Sequence, residues 1–269
     1  LVICNSCGLI RAKEYWDKKS VVHFYSNWYR KKYGEEDNPD KFYSGQAKSS
    51  KLVFDFVNEH LCKIKKPHYV VDIGGGAGGR LDLFKKDGNC FLFDFNKTFL
   101  KKANEMGIKA TEGGVEKLNL IKEKPNLVIL SHVLEHFVNV DKELEILKKN
   151  LMIGSLVYLE LPGINSLKEG RREYDFLKDI HWPHVFYFSS DVLNNLMKRY
   201  GFRCLKSNTL ISALYEYTGE TGELENHHDT VCLQIKSAEI KRRLYAWQLR
   251  RILSRILPSN FKDLIKKYM

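Results

Sequence analysis

No stretch of this chain is apolar for long enough to span a bilayer, and no signal-peptide pattern is visible in it. Its six cysteines, Cys4, Cys7, Cys62, Cys90, Cys204 and Cys232, are scattered, and Cys90 and Cys232 fall in apparent buried strands. A free thiol there acts as a small hydrophobe. This usage argues against a disulfide framework and for a reducing, cytoplasmic compartment. Internal repeats and low-complexity segments are absent, and 43% hydrophobic content excludes general disorder. The net charge of +11 is unevenly spread. Residues 239–269 carry nine Lys/Arg against two acids, so +7 of it lies in the last 31 residues. The body is only mildly basic, and no nucleic-acid partner is expected.

What is present centres on Tyr69 to Arg80, Y-V-V-D-I-G-G-G-A-G-G-R. Val70, Val71 and Ile73, bounded by Pro67 and a glycine cluster, read as a short buried parallel strand. Gly74, Gly75, Gly76, Gly78 and Gly79 follow, and Leu81, Leu83 and Phe84 begin a helical pattern. Strand, glycine turn and helix N-terminus set backbone N–H groups against a closely approaching ligand, which a side chain at Gly74 or Gly76 would block. Gly74-x-Gly76-x-x-Gly79 with Asp94 about twenty residues on satisfies the dinucleotide fingerprint. Asp72-x-Gly74-x-Gly76-x-Gly78 instead resembles the first motif of class I S-adenosylmethionine (SAM) methyltransferases. A carboxylate inside the strand belongs to the second pattern more than the first.

At 269 residues, one α/β domain with appendages is expected. Cys4-Asn-Ser-Cys7-Gly8 is a knuckle that can hold one side of a tetrahedral zinc, which needs four ligands. Either another pair lies upstream of Leu1, or His23 and another group complete the site, or there is no metal. The aromatic stretch from His23 to Tyr43 has helical spacing at 21, 25, 28 and 29. It precedes the Rossmann-like unit, where such domains carry a lid. A helix over 47–61 follows. Strands are expected at 90–94, 108–111, 126–130 and 153–161, with helices over 97–106 and 141–150. Phe202 to Leu205 and Thr230 to Ile235 read as two further strands pairing antiparallel at the sheet edge. The resulting division is 1–45 (knuckle and lid), 46–237 (ligand-binding domain) and 238–269 (basic amphipathic tail).

Two segments lie beyond strand ends: Ser131-His132-Val133-Leu134-Glu135-His136, and His181-Trp182-Pro183-His184-Val185-Phe186-Tyr187-Phe188-Ser189. With the CxxCG knuckle, the aromatic lid, the glycine loop and Asp94, residues 1–206 resemble class I SAM methyltransferases. The narrower resemblance is to bacterial sugar and surface-glycan methyltransferases, including deoxysugar C-methyltransferases with an N-terminal zinc module. The fold this implies is α/β and Rossmann-like, with a mostly parallel seven-stranded sheet and helices on both faces. The resemblance implies that Gly74, Gly75, Gly76 and Gly78 leave room for the methionine part of SAM, with Asp72 at the matching acidic position. Asp94 would hold the ribose hydroxyls, Phe95 would flank the adenine, and Gly114 and Val115 would line its edge. Ser131 and His132 would face the methionine moiety and the acceptor. Pro183 before His184 departs from the Glu-His of the C-methyltransferases and favours an oxygen acceptor.

SAM is an activated donor, so what the protein must add is alignment and removal of the acceptor proton. A histidine suits that near neutrality. His184 is the expected base, with His181 and Tyr187 shaping the pocket and His132 on the acceptor or sulfonium side. The Asn/Asp-Pro-Pro-aromatic turn of base-nitrogen methylation is absent after the fourth strand, as is a cysteine nucleophile for pyrimidine carbon. The resemblance to sugar and surface-glycan methyltransferases implies a sugar or glycan hydroxyl as the acceptor. Sugar carbon methylation, another small-molecule hydroxyl, a non-catalytic SAM-binding or glycan-anchoring module and an NAD-dependent oxidoreductase are the alternatives. The tail reads as a helix docked on its own domain or on a second subunit of a homodimer, or as a peripheral contact with anionic lipid at the inner membrane face.

Overall fold

A computed structural model describes residues 1–29, 38–86 and 88–256. Tyr33 of the lid stretch and the tail beyond Ile256, with Pro258, lie outside the described residues. Among the described residues, ten strands form two sheets. Short β1 (Val2–Ile3) and β2 (Ile10–Arg11) join β8 (Phe186–Tyr187) in an antiparallel patch. The seven-stranded sheet contains β3 (His68–Ile73), β4 (Gly88–Asp94), β5 (Lys109–Glu112), β6 (Leu127–Ser131) and β7 (Leu156–Glu160), all parallel. β9 (Phe202–Ser207) and β10 (Ser212–Tyr217) complete it in the order β5-β4-β3-β6-β7-β10-β9, with β10 antiparallel to both neighbours.

The central strands are apolar on both faces because helices cover both. Alternate residues feed separate cores. Val70, Leu92, Leu127 and Ile129 pack with Val53 and Val57 of α2 (Pro39–Leu61) and Phe99 of α3 (Lys97–Glu105). Val71, Phe93, Val128 and Leu130 pack with Leu144 of α4 (Val140–Lys149) and Leu193 of α5 (Ser190–Arg199), on the other face. The chain reverses winding between β3 and β6, so a crevice opens beyond their carboxyl ends.

Several expected elements differ. Thr230 to Ile235 is not a strand but lies in α6 (His228–Ile256), where Cys232 is partly exposed. Val231, Gln234 and Ala238 are buried among its described positions, a helical spacing that overrides the strand-like composition. The seventh strand is β10, whose Ala213 and Tyr215 face one core and Leu214 the other. α6 docks on its own domain: Tyr245 packs edge-on to Tyr174, and Lys241 Nζ lies 5.8 Å over the Tyr174 ring. No helix among the described residues is long and apolar enough to cross a membrane. The boundaries expected at 45 and 237 both fall inside helices. α2 starts earlier because Asn38 caps it, accepting from the Lys41 N–H, and Pro39 suits its first turn.

The helix expected from Leu81 is replaced by 3-10 turns at Gly79–Leu81 and Phe84–Lys86, since the chain must re-enter the sheet at Gly88. Gly79 sits against α2: a Cβ there would lie 2.1 Å from the Tyr43 carbonyl oxygen and 2.8 Å from Ala47 N. Gly79→Ala should therefore force backbone apart and cost about 1–3 kcal/mol or more. A thermal melt showing an unchanged Tm would contradict this packing.

In the knuckle, the Gly8 N–H donates to the Cys4 carbonyl at 2.9 Å; His23, one of the alternatives for completing a zinc site, does not converge with Cys4 and Cys7 among the described residues. His23 sits on α1 (Lys18–Asn27), where its backbone carbonyl accepts from Asn27. Among the described residues, one group of three metal-ligating side chains converges, and it excludes Cys4 and Cys7.

Candidate active site

The crevice beyond β3 and β6 holds a cavity of about 280 Å³. Its floor begins at the glycine loop. Gly74 and Gly76 take left-handed backbone (φ +68° and +59°), which the turn out of β3 demands. Gly74 alone of the loop's glycines lines the cavity. A Cβ at Gly74 would come within 2.6 Å of Val133, and one at Gly76 within 2.6 Å of Phe42. Close protein packing, beside any ligand, therefore requires these glycines. Gly75 lies over Asp72 and Gly78 against Ile108, so both act behind the wall.

Asp94, at the carboxyl end of β4, faces the cavity. Its two carboxylate oxygens accept from the Gly76 and Asn96 N–H groups, each at 2.8 Å. Each oxygen retains acceptor capacity, which ribose hydroxyls need. Phe95, Gly114 and Val115 line the same end. Asp72 is fully buried beneath the loop. Its Oδ2 accepts from Arg80 at 3.4 Å, and its Oδ1 has no hydrogen-bond partner. Burial raises its pKa to about 6.

Sequence reasoning missed several contributors. Gln46 of α2 donates to the Gly75 carbonyl at 2.9 Å and accepts from the Gly79 N–H at 3.2 Å, fastening the loop. Lys18, Val21, Val22 and Tyr25 of α1 share one helical face along the cavity, and Tyr29 extends it. Lys18 holds this lid down through Glu143 at 2.8 Å. The helical spacing was visible in the sequence; the long-range anchors were not.

Beyond β6, Ser131 and His132 line the cavity, as do Val133 and His136. Ser131 Oγ donates to Glu160 at 2.6 Å. His132 has φ +56°, an uncommon backbone for a residue other than glycine. Its side chain is 57% exposed, with Nδ1 3.4 Å from the buried Glu135 carboxylate. The adjacent Glu135 carboxylate holds the His132 imidazole above its ordinary pKa against the opposing effect of burial.

His184, His181 and Tyr187, expected in the pocket, do not line this cavity. They form a layer behind it, with the His184 ring 4.7 Å from His136, 5.1 Å from His181 and 5.9 Å from Tyr187. The loop is drawn beneath the turn after β6, because the Val185 N–H donates to the Glu135 carbonyl at 2.8 Å and β8 pairs with β2. Burial, with His136 beside it, pushes His184 down to about 3.

Residues 45–207 match the family described as Methyltransferase domain. The chain belongs to that methyltransferase family. SAM is its cofactor, and the alternative reading of the glycine spacing as an NAD site falls away. Among solved structures, magnesium protoporphyrin IX methyltransferase from Synechocystis PCC 6803 with bound SAH is 13% identical, with a TM-score of 0.52 over 74% of this chain and 98% of that one. An O-methyltransferase family protein from Burkholderia thailandensis is 15% identical, with a TM-score of 0.50 over 69% and 60%. At these identities the likeness is one of fold alone. No curated protein matches the chain. The residues of this methyltransferase fit SAM: the Asp94 carboxylate and the side-chain-free floor at Gly74 line one cavity, while Asp72, with its unpartnered oxygen, lies buried beneath the loop and does not line it.

Proposed function

We propose that this methyltransferase acts on a hydroxyl of a sugar or similar polyol, with His132 as the general base. The observation carrying the reading is the His132–Glu135 pair on the cavity wall beyond β6. SAM, when bound, supplies the activated methyl group; the chain supplies position and proton removal. Glu135 next to Nδ1 favours the tautomer that carries its proton there, leaving Nε2 as the acceptor. His184, the base expected from the sequence, lies behind the wall and has lost most of its proton affinity. Tyr25, Tyr29 and Phe137 give the cavity aromatic surface, which suits the C–H face of a sugar ring while polar groups meet its hydroxyls.

Calorimetry should show SAM and its demethylated product binding, and NAD failing to bind. Asp94→Ala should weaken SAM by roughly 1.5–3 kcal/mol, the worth of hydrogen bonds to a charged group. The acceptor class is tested with labelled SAM and a panel of nucleotide sugars and free polyols, the product being mapped by mass spectrometry. A new carbon–carbon bond in the product, or transfer only to amines, would overturn the oxygen assignment.

A further inference from the structure

We infer that Glu135, His136 and His184 form a site for a first-row divalent metal ion beside the acceptor end of the cavity. One ligand atom from each lies within 4.8 Å of the others. Two imidazoles and a carboxylate, with coordination positions left open, suit first-row divalent transition metals and zinc better than all-oxygen cations such as Ca²⁺.

Glu135 carries the argument. It is 1% exposed, and neither carboxylate oxygen makes a hydrogen bond. His132 Nδ1 lies 3.4 Å and His136 Nε2 3.9 Å from the same carboxylate oxygen. A buried carboxylate demands paired donors or a cation.

His136 does not supply such a donor. Its Nδ1 lies 2.9 Å from the Pro183 carbonyl oxygen, which can only accept, so Nδ1 carries the proton. The Tyr25 oxygen, 2.8 Å from the same nitrogen, can share that proton. Neutral His136 therefore presents the lone pair of Nε2 to Glu135, acceptor against acceptor. A backbone carbonyl fixing one ring nitrogen so that the other can ligate is the usual support of a metal-binding histidine. His184 enters from the second loop, whose position is locked by the Val185 N–H on the Glu135 carbonyl. Three residues from two chain segments are thus held together around a buried carboxylate whose oxygens make no hydrogen bond.

His136 also lines the cavity, so an ion here borders the acceptor space, and an acceptor oxygen can take one of its open positions. The role given to that oxygen rests on the hydroxyl reading above; the ion site itself does not.

The test uses the full chain with Mn²⁺ as the probe, free ion being followed by electron paramagnetic resonance without acceptor. One equivalent should bind to the wild type and equally to a Cys4→Ser/Cys7→Ser variant, which removes the knuckle as a rival. Spin-echo modulation should show imidazole nitrogens on the bound ion. Glu135→Gln and His184→Ala should each weaken binding at least about 100-fold, since even supporting residues outside the coordination sphere commonly change metal affinity 10–100-fold. Retained SAM affinity certifies the fold of each variant, and the nitrogen signal of the wild type decides the matter if a variant does not fold. Absence of bound Mn²⁺, binding without nitrogen coupling, loss of binding in the double cysteine variant, or unchanged affinity in folded Glu135→Gln or His184→Ala would overturn the site. Binding as described with no transfer to hydroxyl acceptors would overturn the acceptor reading and leave the ion site standing.

Discussion

His132→Asn is expected to lower kcat by about 10²–10⁴-fold, the usual contribution of a general base, while SAM affinity stays nearly unchanged. Asparagine is the sharper choice over alanine because φ at this position is +56°, a region that Asn tolerates and Ala resists. The amide can still meet Glu135, so the turn after β6 keeps its shape. It cannot take a proton at neutral pH. A fall in kcat with KM for the acceptor little changed would place the lost interaction in the transition state. Calorimetry on the same variant must show SAM bound. If His132→Asn turns over acceptor at the wild-type rate, the base is another group or catalysis rests on alignment alone.

The parts of this site legible from the sequence are those that local order determines. The glycine loop follows β3 directly, Asp94 ends β4 and His132 follows β6, so a parallel sheet brings their ends together without further information. The lid helix showed itself through Val21 and Tyr25 at helical spacing. What resisted reading depends on pairings across the chain. Pro183 reaches His136 across 47 positions, and that contact decides which nitrogen of His136 is free. His184 looked like a base because it sits in a histidine-rich loop after β7. The β2–β8 pairing, set by the N-terminal segment, drew it behind the wall. Gln46 carried no motif, yet it fastens the glycine loop at both ends. The exchange of β10 for part of α6 has another cause. Thr230 to Ile235 has strand-like composition, and only the continuation through Ala238 reveals the helical period.

Asp72→Asn is expected to make the free protein more stable at pH 7.5, and no more stable near pH 4. Burial is the largest influence on Asp72 and raises its pKa from an ordinary 3.8 to about 6, with Arg80 only partly offsetting it. Between those values the folded chain binds more protons than the unfolded one, so stability falls as pH rises from about 4 through about 6. Each pKa unit is about 1.4 kcal/mol, which puts the cost of the charged form on the order of 3 kcal/mol above pH 7. Asparagine removes that cost and keeps the shape beneath the Gly74–Gly76 turn. The same change should weaken SAM, because the Asp72 charge lies under the loop next to which the cationic donor binds. Retaining a costly buried charge at the floor of a binding site is the expected exchange of stability for function. Thermal melts of both proteins at pH 4 and pH 7.5, with SAM calorimetry at pH 7.5, measure the two sides of that exchange. Equal melting temperatures at pH 7.5 would show that Arg80 neutralises Asp72 fully, and the carboxylate would then be a settled ion pair with no strain to relieve.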